Sequence, residues 1–237
     1  MSHPLLIAHR GASGLAPENT HAAFRTALNY QPDFIECDVQ LTKDKHVVVI
    51  HDATVDRTSS LKGAISDLTL AELQQGDYGK WYGQPYLNEP IPTLEEVITT
   101  YTNQTKLNIE IKGDDTPEDY IPRILDLLKD TNGVPNCIIT SFHHTYLLEL
   151  AQLDSQVVTG LIFAHEPSFE YLSQPWKYLS VHHKLLTATF VDAAHDHHKQ
   201  VFAWTVNSIE TMNTLIRMGV DGIITDYPNR FRQIQNL

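Results

Sequence analysis

Cysteine is nearly absent from this chain of 237 residues: there are two, Cys37 and Cys137, and neither has CxxC or metal-site spacing. That scarcity argues against a disulfide framework and fits a reducing compartment. Basic charge is also scarce, with 17 Lys and Arg against 29 Asp and Glu and a formal net charge of −12. Broad binding to nucleic acid or to an anionic membrane rests on surplus Lys and Arg, so neither is an expected partner. An anionic small substrate remains compatible, because a metal ion and a few local cations can reverse the field inside a cleft. No stretch approaches the ~18 apolar residues of a membrane span. The apolar N-terminal stretch is too short for a signal peptide, and cleavage there would remove His9. The expected location is the cytoplasm. Repeats and low-complexity tracts are missing too.

What the chain does contain is an alternation of strand-like and helix-like segments. Strands are expected at 5–9, 34–41, 46–51, 106–111, 137–141, 157–163, 178–182, 200–205 and 222–225. Helices are expected at 20–30, 94–102, 117–130, 144–153, 167–173, 187–198, 208–218 and 229–235. Such alternation implies a parallel sheet with crossover helices. Thr69-Leu70-Ala71-Glu72 and Thr93-Leu94-Glu95-Glu96 both match the capping-box pattern. The length suits one α/β barrel, but nine strands are one too many. The link from Leu41 to His46 is too short for a crossover and long enough for a hairpin. The expectation is eight barrel strands plus one antiparallel return strand, with Leu41 opposite His46 and Glu36 opposite His51. Residues 52–92 break the rhythm, hold one short helix signal and read as an inserted cap within a single domain spanning 1–237.

The polar residues at strand ends carry the chemistry. Leu5-Leu6-Ile7-Ala8 runs into His9-Arg10, and Val47-Val48-Val49-Ile50 runs into His51-Asp52. Between them lies Glu36-Cys37-Asp38, and Leu107 to Lys112 adds Glu110 and Lys112. Side chains alternate faces along a strand. Glu36 and Asp38 therefore share a face, as do Glu110 and Lys112, while Cys37 points away into the core. Ser141, Trp204 and Asp226 also fall near strand ends, where an α/β barrel keeps its active site. Three carboxylates, two imidazoles and two cations make an acid/base and metal constellation. His182 follows a strand and is placed to reach the mouth. His195, His197 and His198, late in an expected helix, read as surface residues.

His9-Arg10-Gly11, Pro17-Glu18-Asn19-Thr20, Glu36-x-Asp38-Val39, His51-Asp52 and Ile109-Glu110-Ile111-Lys112, in that order, resemble the glycerophosphodiester phosphodiesterase signature. Ser141-Phe142, Ala203 to Asn207 and Gly219 to Asp226 extend the likeness almost to the C-terminus. Each motif is weak alone; the ordered set is specific, and it is closest to the short bacterial cytoplasmic enzymes. The resemblance implies a TIM (β/α)8 barrel with a small insertion after the second histidine. It implies Glu36, Asp38 and Glu110 as metal ligands, and three carboxylates without clustered His or Cys suit Mg²⁺ or Ca²⁺, with Mn²⁺ also admissible. It implies His9 and His51 as the acid/base pair, and Arg10 and Lys112 as holders of the phosphate. Glu18 and Asn19 would support the site, and Phe142 and Trp204 would pack on the glycerol or alcohol part.

The implied reaction is metal-dependent hydrolysis of a glycerophosphodiester, a small-molecule substrate, to glycerol 3-phosphate and an alcohol. The nucleophile is either the substrate's own glycerol hydroxyl or a water. Two alternatives stand beside it: lysophospholipase D-like action on a lipid diester, and a catalytically silent barrel that binds a phosphate ligand. The acidic charge counts against the first, and the presence of both histidines against the second.

Overall fold

A computed structural model describes residues 3–113 and 117–234. Among the described residues nine strands form one sheet: β1 (Leu5–Ala8), β2 (Phe34–Leu41), β3 (Val47–Val49), β4 (Lys106–Ile111), β5 (Cys137–Ser141), β6 (Val158–Phe163), β7 (Tyr178–His182), β8 (Gln200–Trp204) and β9 (Gly222–Thr225). Eight of them are parallel and run in the order β1-β9-β8-β7-β6-β5-β4-β2, and β1 pairs with β2 to close a barrel. The helices are α1 (His21–Leu28), α2 (Leu70–Leu73), α3 (Leu94–Tyr101), α4 (Tyr120–Asp130), α5 (His144–Leu153), α6 (Ala188–Asp196), α7 (Ile209–Met218) and α8 (Pro228–Phe231). This is the expected TIM barrel. The last residue of the expected helix 229–235 lies outside the described residues.

The residue pattern explains the layers. In β2 the odd positions Ile35, Cys37 and Val39 face the helices and join their core cluster. The even positions Phe34, Glu36 and Asp38 face inward. Phe34 closes the barrel floor with Ile7, Ile138, Tyr178, Phe202 and Ile224, so the carboxylates above it rest on a dry apolar plug. Helix α4 shows the complementary logic: Ile121, Ile124, Leu125 and Leu128 are buried at three- and four-residue spacing. Both capping boxes form, at Thr69 with Glu72 and at Thr93 with Glu96. No helix among the described residues is long and apolar enough to cross a membrane.

The edge of β2 decides where the histidines end. Its first residues, Phe34 and Ile35, pair in parallel with β1, and its last, Val39 to Leu41, pair antiparallel with β3. Both neighbours use the same edge, one rising toward the mouth and one descending from it. The residues that follow them, His9 and His51, therefore meet beside Glu36 and Asp38.

The hairpin is present, but its register is one residue from the expected one. Leu41 faces Val47, not His46, and the ladder places Val39 opposite Val49. Thr42 is the cause. Its backbone N–H donates to His46 O at 2.9 Å, and its hydroxyl oxygen accepts from His46 N at 2.9 Å. The loop is thereby held to three residues, with Lys45 left-handed at φ 66°. Glu36 consequently does not face His51. The link from β6 to β7 also differs from expectation: the segment expected as a helix at 167–173 is a three-ten turn over Phe169–Ser173, started by Ser168 accepting from Glu170 N. Residues 52–92 contain α2, three-ten turns at Ile65–Asp67 and Gln84–Tyr86, and a small core of their own. Val55, Ile65, Leu73, Tyr78 and Ile91 pack there on Val48 and Ile50 of the return strand.

Gly11 fixes the turn that follows β1. Its φ is 81°, its N–H reaches Glu36 O at 3.2 Å, and a Cβ there would lie 2.7 Å from Ala23 C. A side chain at this position meets both a left-handed backbone and the wall of α1. Gly11→Ala is expected to lower unfolding stability by about 2–4 kcal/mol in urea titration. A loss below about 0.5 kcal/mol would show that the turn does not constrain the residues beside it.

Candidate active site

The inward face of the barrel mouth concentrates the polar side chains. A cavity of about 230 Å³ is lined by His9, Arg10, Glu36, His51, Glu110 and Lys112, with Asn108, Thr140, Phe142, Ser180 and Trp204 among its other walls. The β2–β4 register sets Glu36 beside Asn108 and Asp38 beside Glu110. Glu36, Asp38 and Glu110 offer carboxylate oxygens that all lie within 4.8 Å of one another.

Three carboxylates this close cannot all ionise at ordinary values. Burial, reinforced by the Asp38 charge, raises Glu110 to about 7. Burial, then Asp38 and Glu110, pushes Glu36 well above the usual glutamate range. Asp38 is also buried, but Lys112 and Arg10 outweigh that and lower it to about 2. Arg10 Nε sits 3.2 Å from Asp38 Oδ2, and the Arg10 N–H donates to Glu36 Oε2 at 2.7 Å. Lys112 Nζ donates to Glu110 Oε1 and lies 3.2 Å from Asp38 Oδ1. Asn19, at φ 56°, donates from Nδ2 to Asp38 Oδ2 at 2.9 Å.

These contacts do not satisfy the group. Glu36 Oε1 is buried without a hydrogen-bond partner among the described residues, and Asp38 Oδ1 has no bond of hydrogen-bond geometry beyond its ion pair with Lys112. Buried carboxylate oxygens without donors are costly. All-oxygen donors at this spacing suit a hard divalent cation better than zinc. The residues present therefore fit such an ion.

Each histidine is backed by a carboxylate. His9 Nδ1 donates to Asp226 Oδ1 at 2.6 Å, and His51 Nδ1 donates to Asp52 Oδ1 at 2.7 Å. An ionised carboxylate only accepts, which assigns the proton to Nδ1 and leaves Nε2 as the basic nitrogen. Asp226 is half-buried, yet hydrogen bonds from His9, Asn207 and Ser13 hold it at about 2. Asp52 lies well below the usual aspartate range, chiefly because Arg57 binds it. Burial lowers His51, against the pull of Asp38.

The remaining anticipated residues fall as follows. Glu18 Oε1 accepts from Arg10 Nη1 at 2.7 Å. Phe142 is 38% exposed and stands edge-on to Trp204, with ring centres 5.8 Å apart. Trp204 donates from Nε1 to Ser180 O at 3.1 Å. His182 packs edge-on against Trp204, stacks on His183 and lies outside the cavity lining. Ser141 spends its hydroxyl on Ile111 O and lies outside the cavity lining. His195 pairs with Asp221 at the end of α6. Sequence reasoning missed Arg57, Asn207 and Ser13 and gave Asp52 no partner. Asp226 was visible as a strand-end acid, but its pairing with His9 was not.

Comparison with known proteins agrees with this geometry. The model of the glycerophosphoryl diester phosphodiesterase family matches residues 9–230. A Bacillus subtilis protein provisionally named a glycerophosphodiester phosphodiesterase is 41% identical over 94% of this chain and 95% of its own. A glycerophosphodiester phosphodiesterase of Caldanaerobacter subterraneus is 38% identical over 94% of each chain. Among solved structures, an Oleispira antarctica phosphodiesterase in complex with the product sn-glycerol-3-phosphate superposes with a TM-score of 0.91. It is 31% identical, and the match covers 99% of this chain and 97% of that one. With the family match spanning nearly the whole chain, the protein belongs to the glycerophosphoryl diester phosphodiesterase family of phosphoric diester hydrolases.

Proposed function

We propose that the protein hydrolyses glycerophosphodiesters to glycerol 3-phosphate and an alcohol, with one divalent cation and with His9 and His51 as the acid/base pair. The observation that carries this reading is the pair of carboxylate-backed imidazoles opening on one cavity that Glu36, Glu110, Arg10 and Lys112 also line, with Asp38 beside the two glutamates. Family membership supplies the reaction class; the division of labour among the residues is the proposal.

Glu36, Asp38 and Glu110 would hold the cation. When bound, it polarises the phosphoryl group and offsets charge in the transition state. Arg10 presents a planar fork and Lys112 a compact charge to the phosphate oxygens. One histidine takes the nucleophile's proton at Nε2, and the other delivers a proton to the departing alcohol oxygen. Asp226 and Asp52 stabilise each imidazolium as it forms and keep the reactive nitrogen turned inward. Phe142 and Trp204 form an apolar wall against which carbon-bearing parts of the substrate pack. The segment 52–92 acts as a cap on the His51 side, and its small core anchors the return strand that carries His51.

The glycerol hydroxyl next to the phosphoester carbon is the favoured nucleophile. The two histidines suit a first step that forms a cyclic phosphate and a second in which water opens it. Attack within one molecule also removes the entropy cost of gathering reactants.

Three outcomes test this reading. His9→Ala and His51→Ala should each lower turnover of glycerophosphocholine by roughly 10²- to 10⁴-fold while leaving metal affinity nearly unchanged. Near-wild-type turnover in either variant removes that residue from the reaction. The second test concerns pH and the metal. Glu110 and Glu36 have folded-state pKa values raised above their unfolded ones. Their neutral forms are thus favoured in the metal-free fold, and for Glu110 that advantage is lost as pH rises through about 7. A divalent ion needs the ionised forms. The rise in Tm on adding Mg²⁺ or Mn²⁺ should therefore grow from pH 5.5 to pH 8 in scanning fluorimetry, and Asp38→Asn should abolish it. An equal rise at both pH values, or one that survives Asp38→Asn, contradicts the assigned ligands. In the third test, a 2-deoxy analogue of glycerophosphocholine should bind yet turn over very poorly. Comparable turnover, with no cyclic glycerol phosphate in early quenches, would assign attack to water.

A further inference from the structure

Arg57 lies in the segment after His51, is 45% exposed in its side chain, and does not line the cavity. It nevertheless spends four hydrogen bonds on two carboxylates. Nε and Nη2 donate to Asp52 Oδ2 and Oδ1 at 2.7 and 3.0 Å. Nη1 and Nη2 donate to Glu18 Oε2 and Oε1 at 2.7 and 2.8 Å. Asp52 is the acceptor behind His51 Nδ1, and Glu18 is the acceptor behind Arg10 Nη1. The result is one continuous chain: His51, Asp52, Arg57, Glu18, Arg10.

We propose that Arg57 is a positioning residue that aligns the His51 imidazole and the Arg10 guanidinium with each other. The inference rests on the reading of His51 as an acid/base group and Arg10 as a phosphate holder.

Geometry and charge both support it. Asp52 and Glu18 come from different parts of the chain, and without a shared cation they would repel. Glu18 is only 12% exposed in its side chain, so water cannot replace the lost partner fully. A guanidinium is planar and can engage two carboxylates edge-on at once. A lysine ammonium is a point charge and cannot keep four bonds in one plane. Both ends of the chain are also fixed beyond it. Arg10 is left-handed at φ 51° and reaches Asp38 through Nε, so its guanidinium has little freedom once Glu18 is held. Ile50, just before His51, is locked in the same small core as Val55, two residues before Arg57. The segment's packing thus delivers Arg57 to its place, and Arg57 passes that alignment to both groups. Phosphate and imidazole must meet in one geometry, and misplacement by about 1 Å can cost on the order of 10²-fold in rate.

The test uses Arg57→Ala and Arg57→Lys in the full chain, with wild-type hydrolysis of glycerophosphocholine as the control for the functional reading itself. Arg57→Ala should lower kcat by roughly 10- to 100-fold, with a smaller change in KM and only a modest fall in Tm, because Arg10 still binds Glu18. Arg57→Lys keeps the charge but not the fork and should recover less than half of the lost activity. Because Arg57 is partly exposed, the space left by Arg57→Ala opens to solvent. Guanidinium at tens of millimolar should then restore turnover, whereas ammonium at equal ionic strength should not. A purely structural role would not respond in this way. A readout independent of turnover is ¹⁵N NMR of the His51 ring: the Nδ1–H tautomer should dominate in wild type and mix with the other in Arg57→Ala. The proposal is overturned if Arg57→Ala keeps kcat within twofold of wild type. It is equally overturned if activity falls without guanidinium rescue while the His51 tautomer stays unchanged. An inactive wild-type protein would instead sink the functional reading and leave the tautomer result to judge Arg57 alone.

Discussion

Repulsion among Glu36, Asp38 and Glu110 is the constraint around which this barrel mouth is built. Three carboxylates within 4.8 Å, above an apolar floor, cannot stay ionised without positive charge at close range. Arg10 and Lys112 supply part of it, and both contact Asp38. Glu36 Oε1 is still left without a hydrogen-bond donor among the described residues, and Asp38 Oδ1 has only the Lys112 ion pair. A site that concentrates negative charge in this way fits a divalent cation, which under the proposed function would in turn help to hold a phosphate. The family assignment and the electrostatics therefore lead to the same chemistry by separate routes.

The second constraint is geometric. β2 is longer than its neighbour β1, and the unused part of its edge takes β3 in the opposite direction. That arrangement lets one strand edge deliver two histidines, one from each flank, to a carboxylate pair on the same strand. Gly11 completes the arrangement, since only a residue without Cβ fits between the β1 end and α1.

Much of this was legible in the sequence. The two-residue period of Glu36-x-Asp38 and the short apolar runs ending at His9 and His51 report strand geometry directly. Glu110 and Lys112 follow the same rule. What was not legible depends on contacts between distant parts of the chain. The hairpin register is set by the Thr42 hydroxyl, which holds the loop to three residues, and no hydrophobic pattern encodes that bond. Arg57 sits in an aperiodic segment, and one of its partners, Glu18, lies on the other side of β2 in the chain. Asp226 was visible at a strand end, but its pairing with His9 arises from closure of the barrel between β9 and β1. The turn over Phe169–Ser173 read as a helix because its apolar spacing suits either form over so few residues.

The central claim is that the three carboxylates form a single cation site serving the phosphate-binding groups. Anomalous scattering from crystals of the protein soaked in Mn²⁺ tests it most directly. The account predicts one strong anomalous peak per chain, bounded by Glu36, Asp38 and Glu110 and beside Arg10 and Lys112. A peak elsewhere with none at these residues, or no peak there at saturating Mn²⁺, would contradict it.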